Sequence, residues 1–199
     1  MTVDVNVRFG DAAFLDDIDE IIEETMVQMF ILQPRDLEEL ETAKEQADEH
    51  SPIFYCAPLT LRDEIDGNCV GFFVDDAGAL SAAAGKPLFV DESQLDGAMA
   101  DTLTKGAFRG IILNATHAHE GLKDFYLGVG PGTVGKFDAD TLAKLPMERL
   151  VMQSGYPEYG FEAISETAKR ISDIMFRPDQ SIIAAATKSS LTLLGFKKG

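Results

Sequence analysis

The chain has 199 residues, 45% of them hydrophobic, enough for one well-buried core and not comfortably for two. Its 34 acidic and 17 basic side chains leave a formal charge of −17, which argues against a nonspecific grip on nucleic acid or on an anionic membrane, both held through Lys and Arg. Such a surface keeps a chain solvated, and adaptation to a salty host would produce the same bias.

The opening MTVDVNVRFGD has no basic region followed by an apolar one, and no apolar run approaches a membrane span. A cytoplasmic chain without leader or membrane segment is expected. Cys56 and Cys69 each sit in a short apolar run and read as buried free thiols rather than a disulfide or metal pair.

Short apolar runs alternate with amphipathic ones along the chain. Val3 to Phe9 reads as a strand, followed by a helical stretch with Phe14, Leu15, Ile18, Ile21 and Ile22 at helical spacing. Val27 to Leu32 is the second strand; Pro34 then opens a helix carrying Leu37, Leu40 and Ala43. The third and fourth strands, Ile53 to Cys56 and Cys69 to Val74, are nearly continuous in apolar residues, as suits strands covered on both faces. Between them Leu59 to Gly67 has only weak periodicity.

A helical segment over Ala77 to Ala84 leads to a fifth strand, Pro87 to Val90, and Ser93 to Lys105 reads as the next helix. Ile111 to Leu113 is the sixth strand, His119 to Phe125 a short helix or turn, and Tyr126 to Val129 the seventh strand, ended by Gly130-Pro131-Gly132. Ala139 to Leu145 is a short helix and Leu150 to Met152 the eighth strand; helices follow over Glu158 to Met175 and Pro178 to Ser189. Strands mostly separated by helical segments predict a single domain over 1–199, a compact (β/α)8 TIM-like barrel. The fold usually takes about 250 residues, so an incomplete or distorted barrel with stunted connections is expected. A doubly wound open sheet is the structural alternative.

The chain has no nucleotide-binding glycine fingerprint and no Gly-x-Ser-x-Gly elbow. Gly128-Val129-Gly130-Pro131-Gly132 reads as a tight strand-to-helix turn before an anion cradle. Histidine is scarce. His50 sits where a helix ends, which suits an imidazole at the negative end of the dipole. Thr116-His117-Ala118-His119-Glu120 is the one local cluster with metal-like spacing, with Glu120 placed to orient the imidazoles; two exposed histidines in a loop is the plainer reading. The carboxylates Asp75, Asp76, Asp91 and Glu92 fall at strand ends, where barrel enzymes keep their chemistry. They suit a hard cation or an acid/base pair, and helix capping explains them as well.

The stretch Leu145-Pro146-Met147-Glu148-Arg149-Leu150-Val151-Met152-Gln153-Ser154-Gly155-Tyr156-Pro157 resembles the TatD family of metal-dependent hydrolases, in which a proline and a basic residue precede a strand ending in Glu-Thr-Asp. Phe125 to Gly130, the close at Leu194-Gly195-Phe196 and the opening strand within Met1 to Gly10 are similar to the family as well. The likeness is good over roughly the last 75 residues of the 199 and looser before them. It implies a TIM-like barrel with one or two divalent metals that activate water for phosphoester hydrolysis, classically at DNA ends.

The family's ligands are what the sequence lacks. Asn6 and Arg8 stand where the resemblance calls for His-x-His, Phe72 for glutamate, Asp91 for histidine, Leu113 or Asn114 for histidine and Gly155 for aspartate. A guanidinium has no lone pair to give. The residues therefore predict a degenerate metal site, an ion pair between Arg8 and Asp91 in its place, no expected cofactor, and a pocket around Asn6, Arg8, Asp91, Asn114 and Gln153. Such a pocket would take a small anionic ligand or a protein partner. The alternative is an active metal-dependent phosphoesterase using Zn²⁺, Mn²⁺ or Mg²⁺ at a site rebuilt from Asp91, His117 and His119, with Asp75 and Asp76 in support. A third reading is an assembly protein with Met152, Tyr156 and Tyr159 as interface anchors.

Overall fold

The computed structural model describes residues 2–9, 12–83 and 85–196. Eight parallel strands run in chain order around one sheet: β1 (Val3–Val7), β2 (Met29–Leu32), β3 (Ile53–Pro58), β4 (Cys69–Phe73), β5 (Leu88–Asp91), β6 (Gly110–Leu113), β7 (Phe125–Val129) and β8 (Leu150–Met152). The last strand returns to the first. Val7 and Tyr156 form a parallel bridge, Arg8 N–H donates to the Tyr156 carbonyl at 3.3 Å, and Ser154 N–H donates to Asp4 Oδ1 at 3.1 Å. The β8–β1 seam is thus joined by a bridge and a buried carboxylate rather than a full ladder, giving a nearly closed (β/α)8 barrel.

Side chains alternate across each strand, and the buried residues divide accordingly. Phe30, Leu32, Leu88, Val90, Ile112, Leu150 and Met152 pack with the helix residues Leu40, Ala43, Leu103, Ile164 and Ala168. Their strand neighbours Ile31, Phe89, Ile111, Leu113 and Val151 belong to a second cluster on the other face, the barrel interior. Both faces are apolar, which explains why the strands read as continuous hydrophobic runs.

The helices are α1 (Ala12–Asp16), α2 (Ile18–Glu24), α3 (Leu37–Glu49), α4 (Gly97–Lys105), α5 (Pro131–Val134), α6 (Ala139–Lys144), α7 (Ala163–Met175) and α8 (Asp179–Leu194). Helix α8 packs over β8 and β1, covering the seam. Among the described residues, short 3₁₀ segments, Leu59–Glu64 and Ala77–Ala82, take the places after β3 and β4, and the residues from His119 up to β7 form a turn. Those short connections let a barrel close in this length. Ala84, at the end of the expected 77–84 helix, lies outside the described residues, as do Met1 and Gly10 of the family-like opening.

Several expected boundaries shift. Pro34 does not open α3: Asp36 caps it, accepting from Glu39 N–H at 2.9 Å, because a carboxylate satisfies an orphan amide that proline cannot. Helix α7 begins at Ala163 rather than Glu158, and α8 runs on to Leu194. His50 does end α3, and its Nδ1 lies 3.5 Å from Asp19 Oδ1. Cys56 and Cys69 are both free and buried, and burial raises both thiol pKa values. Met152 is core, and Tyr156 stacks on Phe161 at 5.0 Å, so both are explained by packing rather than as interface anchors. No helix among the described residues is long and apolar enough to cross a membrane.

Candidate functional site

At the C-terminal mouth of the barrel, four strands deliver polar side chains to one place. Arg8 follows β1, Asp91 ends β5, Asn114 follows β6 and Gln153 follows β8. Asn114 Nδ2 donates to Asp91 Oδ2 at 2.7 Å, and Arg8 Nη2 stands 3.9 Å from the same oxygen. Gln153 Nε2 donates to Asn114 Oδ1, and Gln153 Oε1 accepts from Asn114 N–H at 3.1 Å. Asp91 Oδ1 takes the Ser93 N–H at 2.9 Å, so the expected capping role and the expected pairing with Arg8 are both met.

The local backbone serves this network. Asn114 adopts a left-handed φ of 56°, which turns its amide and side chain together toward Gln153. A Cβ at Gly128 would fall 2.6 Å from Gln153 Oε1, and one at Gly130 2.6 Å from the Gln153 carbonyl. Those glycines make room for Gln153, and the turn they belong to opens α5 at Pro131.

Below the network lies a buried polar pair. Asp4 accepts from Asn6 N–H and Ser154 N–H, both at 3.1 Å, while its Oδ2 finds no partner among the described residues. Burial pushes its pKa up to about 6, against the pull of those donors. Asn6 is buried with Oδ1 likewise unpartnered among the described residues, so it sits beneath the network rather than within it.

Glu92 organises the neighbouring loop. The register that sets Asp91 opposite Leu113 brings Glu92 to the segment after β6. Its carboxylate accepts the Thr116 N–H at 3.0 Å and the Thr116 hydroxyl at 2.6 Å. His119 Nε2 lies 2.5 Å from Glu92 Oε1 and His117 Nδ1 3.2 Å from it, with the two imidazole centroids 3.8 Å apart. Burial alone would raise the Glu92 pKa, yet the Thr116 donors and the two histidines hold it below the usual glutamate value. Burial lowers that of His119, favouring the neutral ring against the pull of Glu92.

The expected roles shift in consequence. The carboxylate that gathers His117 and His119 is Glu92, one residue past Asp91 and not the sequence neighbour Glu120. A side chain leaving the end of β5 reaches the β6 loop directly. Asp75 accepts from Thr60 N–H at 3.2 Å and from its hydroxyl, and Asp76 caps the following turn through Gly78 N–H at 2.8 Å; both are exposed and stay out of the cluster. Two sequence signals pointed here, the adjacent strand-end acids Asp91 and Glu92 and the spacing of His117 and His119.

A cavity of about 470 Å³ opens over these residues, lined by Asp91, Glu92, Asn114 and Gln153 with Lys136, Glu158 and Tyr159 across it. At the positions where the TatD resemblance calls for metal ligands, the residues do not fit a metal. Arg8 brings a positive charge, the Asn114 oxygen is used within the network, Phe72 is buried and apolar, and Gly155 offers no side chain.

No family model matches the chain, and no curated protein matches it. Solved structures do. The chain is similar to YjjV, a TatD homologue from Escherichia coli K12, with TM-score 0.75 and 14% identity over 96% of this chain and 97% of that one. It is similar to a TatD-family hydrolase from Entamoeba histolytica, with TM-score 0.70 and 12% identity over 98% of each chain. An amidohydrolase from Burkholderia multivorans with bound zinc gives TM-score 0.69 and 11% identity over 99% of this chain and 100% of that one. At such identities the likeness is one of fold: the chain shares the barrel of these structures.

Proposed function

We propose that this is a TatD-related barrel whose family metal centre is degenerate, and that its mouth binds a small anionic ligand rather than hydrolysing a phosphoester. The observation that carries the reading is the network of Arg8, Asp91, Asn114 and Gln153 at the strand ends. A metal-bound hydroxide needs several anionic or imidazole ligands to fix its geometry, and this set supplies one carboxylate already engaged by three neighbours.

The cavity wall carries Asp91, Glu92 and Glu158 against Lys136, so the case for an anion rests on which groups are already engaged and not on net charge. Asp91 and Glu92 spend their oxygens on Ser93, Asn114, Thr116 and the histidines. Arg8 keeps half of its side-chain surface exposed, and its ion pair at 3.9 Å does not occupy the whole donor fork. Lys136 lies on the cavity wall, and Arg8, outside that lining, meets it through its ion pair with Asp91. A carboxylate or phosphate monoanion matches this pair, whereas a nucleic acid would meet the overall charge of −17. A cytoplasmic setting and the absence of a membrane partner belong to the same proposal.

Isothermal titration with inorganic phosphate and with acetate tests it. Saturable binding weakened about tenfold or more by Arg8→Ala, the scale of losing one charged donor, is expected; equal affinity in the variant overturns it. The second reading, a metal-dependent phosphoesterase with a rebuilt site, is favoured by the convergence of His117 and His119 on Glu92.

A further inference from the structure

We infer that Glu92, His117 and His119 form a transition-metal site on the rim of the cavity, separate from the position of the family's metal centre. Each residue offers one ligand atom, and the three atoms lie within 4.8 Å of one another. Two imidazoles and one carboxylate are the donor set that suits zinc or cobalt rather than Mg²⁺, which prefers oxygen.

The geometry is close to what such an ion needs. Zinc bonds of about 2.0–2.2 Å in a tetrahedron place ligand atoms a little over 3 Å apart. His117 Nδ1 already stands 3.2 Å from Glu92 Oε1. The shorter 2.5 Å contact of His119 Nε2 to that oxygen is a hydrogen bond, and its proton is what an ion displaces. That proton, the single one of a neutral imidazole, is then carried on Nδ1, and the atoms separate by less than 1 Å, on the order of ordinary side-chain adjustment.

The surroundings hold the ligands in place. Thr116 shares its N–H between the two Glu92 oxygens and gives its hydroxyl to Oε2, and Oε1 is the oxygen that also meets the imidazoles. His119 is held by a left-handed φ of 44° and is 11% exposed, so it is fixed before any ion arrives. His117 is 63% exposed and leaves the site open to a water or to an anion in the cavity that Glu92 lines. Arg8 does not enter this cluster, so the network at the barrel mouth remains intact.

The test is titration of untagged, chelator-treated protein with Co²⁺ and Zn²⁺, followed by visible absorption and calorimetry. One equivalent of Co²⁺ with an absorption band of four- or five-coordinate geometry is expected, displaced by Zn²⁺. His117→Ala, an exposed position that leaves the fold intact, should weaken binding by about tenfold or more, and so should Glu92→Gln with circular dichroism unchanged. Absence of the band, or equal affinity in His117→Ala and wild type, overturns the site. Phosphate binding by the metal-free protein is a separate readout, so failure of this site leaves the anion pocket standing, and the reverse.

Discussion

Arg8 Nη2 and Asp91 Oδ2 face each other at 3.9 Å across the mouth of the barrel, one from the end of the first strand and one from the end of the fifth. Arg8 is half exposed, so the pair contributes little to stability, under about 1 kcal/mol. Arg8→Ala should leave the melting temperature nearly unchanged. Asp91→Ala strips the partner from Asn114 Nδ2 and from the Ser93 N–H together, and should cost about 1–2 kcal/mol in urea denaturation. Equal costs for the two variants would show that the ion pair, not the hydrogen bonds of Asp91, holds the mouth together.

Glu92 is the more demanding position. Removing its carboxylate leaves the Thr116 N–H and hydroxyl and the His119 ring without their acceptor. Glu92→Ala is expected to destabilise by about 2–3 kcal/mol and to speed amide exchange at Thr116. A loss below 0.5 kcal/mol or so would mean that water replaces the carboxylate without penalty.

The pH dependence of stability carries a signature of Asp4. Its folded pKa is raised to about 6 from an ordinary 3.8, so the folded state holds a proton that the unfolded state has released between those values. Stability from this group is therefore present below about pH 4 and is lost as pH rises through 6, a difference on the order of 3 kcal/mol. Asp4→Asn keeps an oxygen for Asn6 and Ser154 and abolishes the charge. It should raise the melting temperature at pH 8 relative to wild type and have little effect at pH 4.5. Equal shifts at both pH values would remove Asp4 titration as the cause.

Packing between β5 and β6 leaves no space at Gly110. A Cβ there would lie 1.9 Å from the Leu88 carbonyl oxygen, whereas one at Gly67 meets nothing within 4 Å. Gly110→Ala is expected to destabilise by about 3 kcal/mol or more, and Gly67→Ala to be near neutral, by chemical denaturation. Similar midpoints for the two variants would contradict the close approach of these strands.

The strands were legible because each is buried on both sides: runs such as Phe30-Ile31-Leu32 and Leu88-Phe89-Val90 divide between the helix-facing layer and the interior. The 3₁₀ turns after β3 and β4 were harder to read, since a segment such as Ala77–Ala82 holds too few residues to establish a helical period. At the site, Arg8 and Asp91 could be paired from the family pattern, and Asn114 and Gln153 were marked as pocket residues. The grip of Glu92 on His117 and His119 was hidden because it depends on the register of β5 against β6, which places residues distant in sequence side by side. The sequence pointed instead to Asp91 as the carboxylate of a rebuilt site and to Glu120, the nearest acid along the chain, and neither belongs to the cluster.

Hydrolysis of bis(4-nitrophenyl) phosphate by untagged protein supplied with Zn²⁺, Mn²⁺ or Mg²⁺ decides whether the barrel mouth can activate water. A mouth occupied by Arg8 and its partners predicts a rate equal to that of the metal alone. Metal-dependent turnover by the wild-type protein that disappears in His119→Ala would contradict it and assign the barrel to a rebuilt hydrolase.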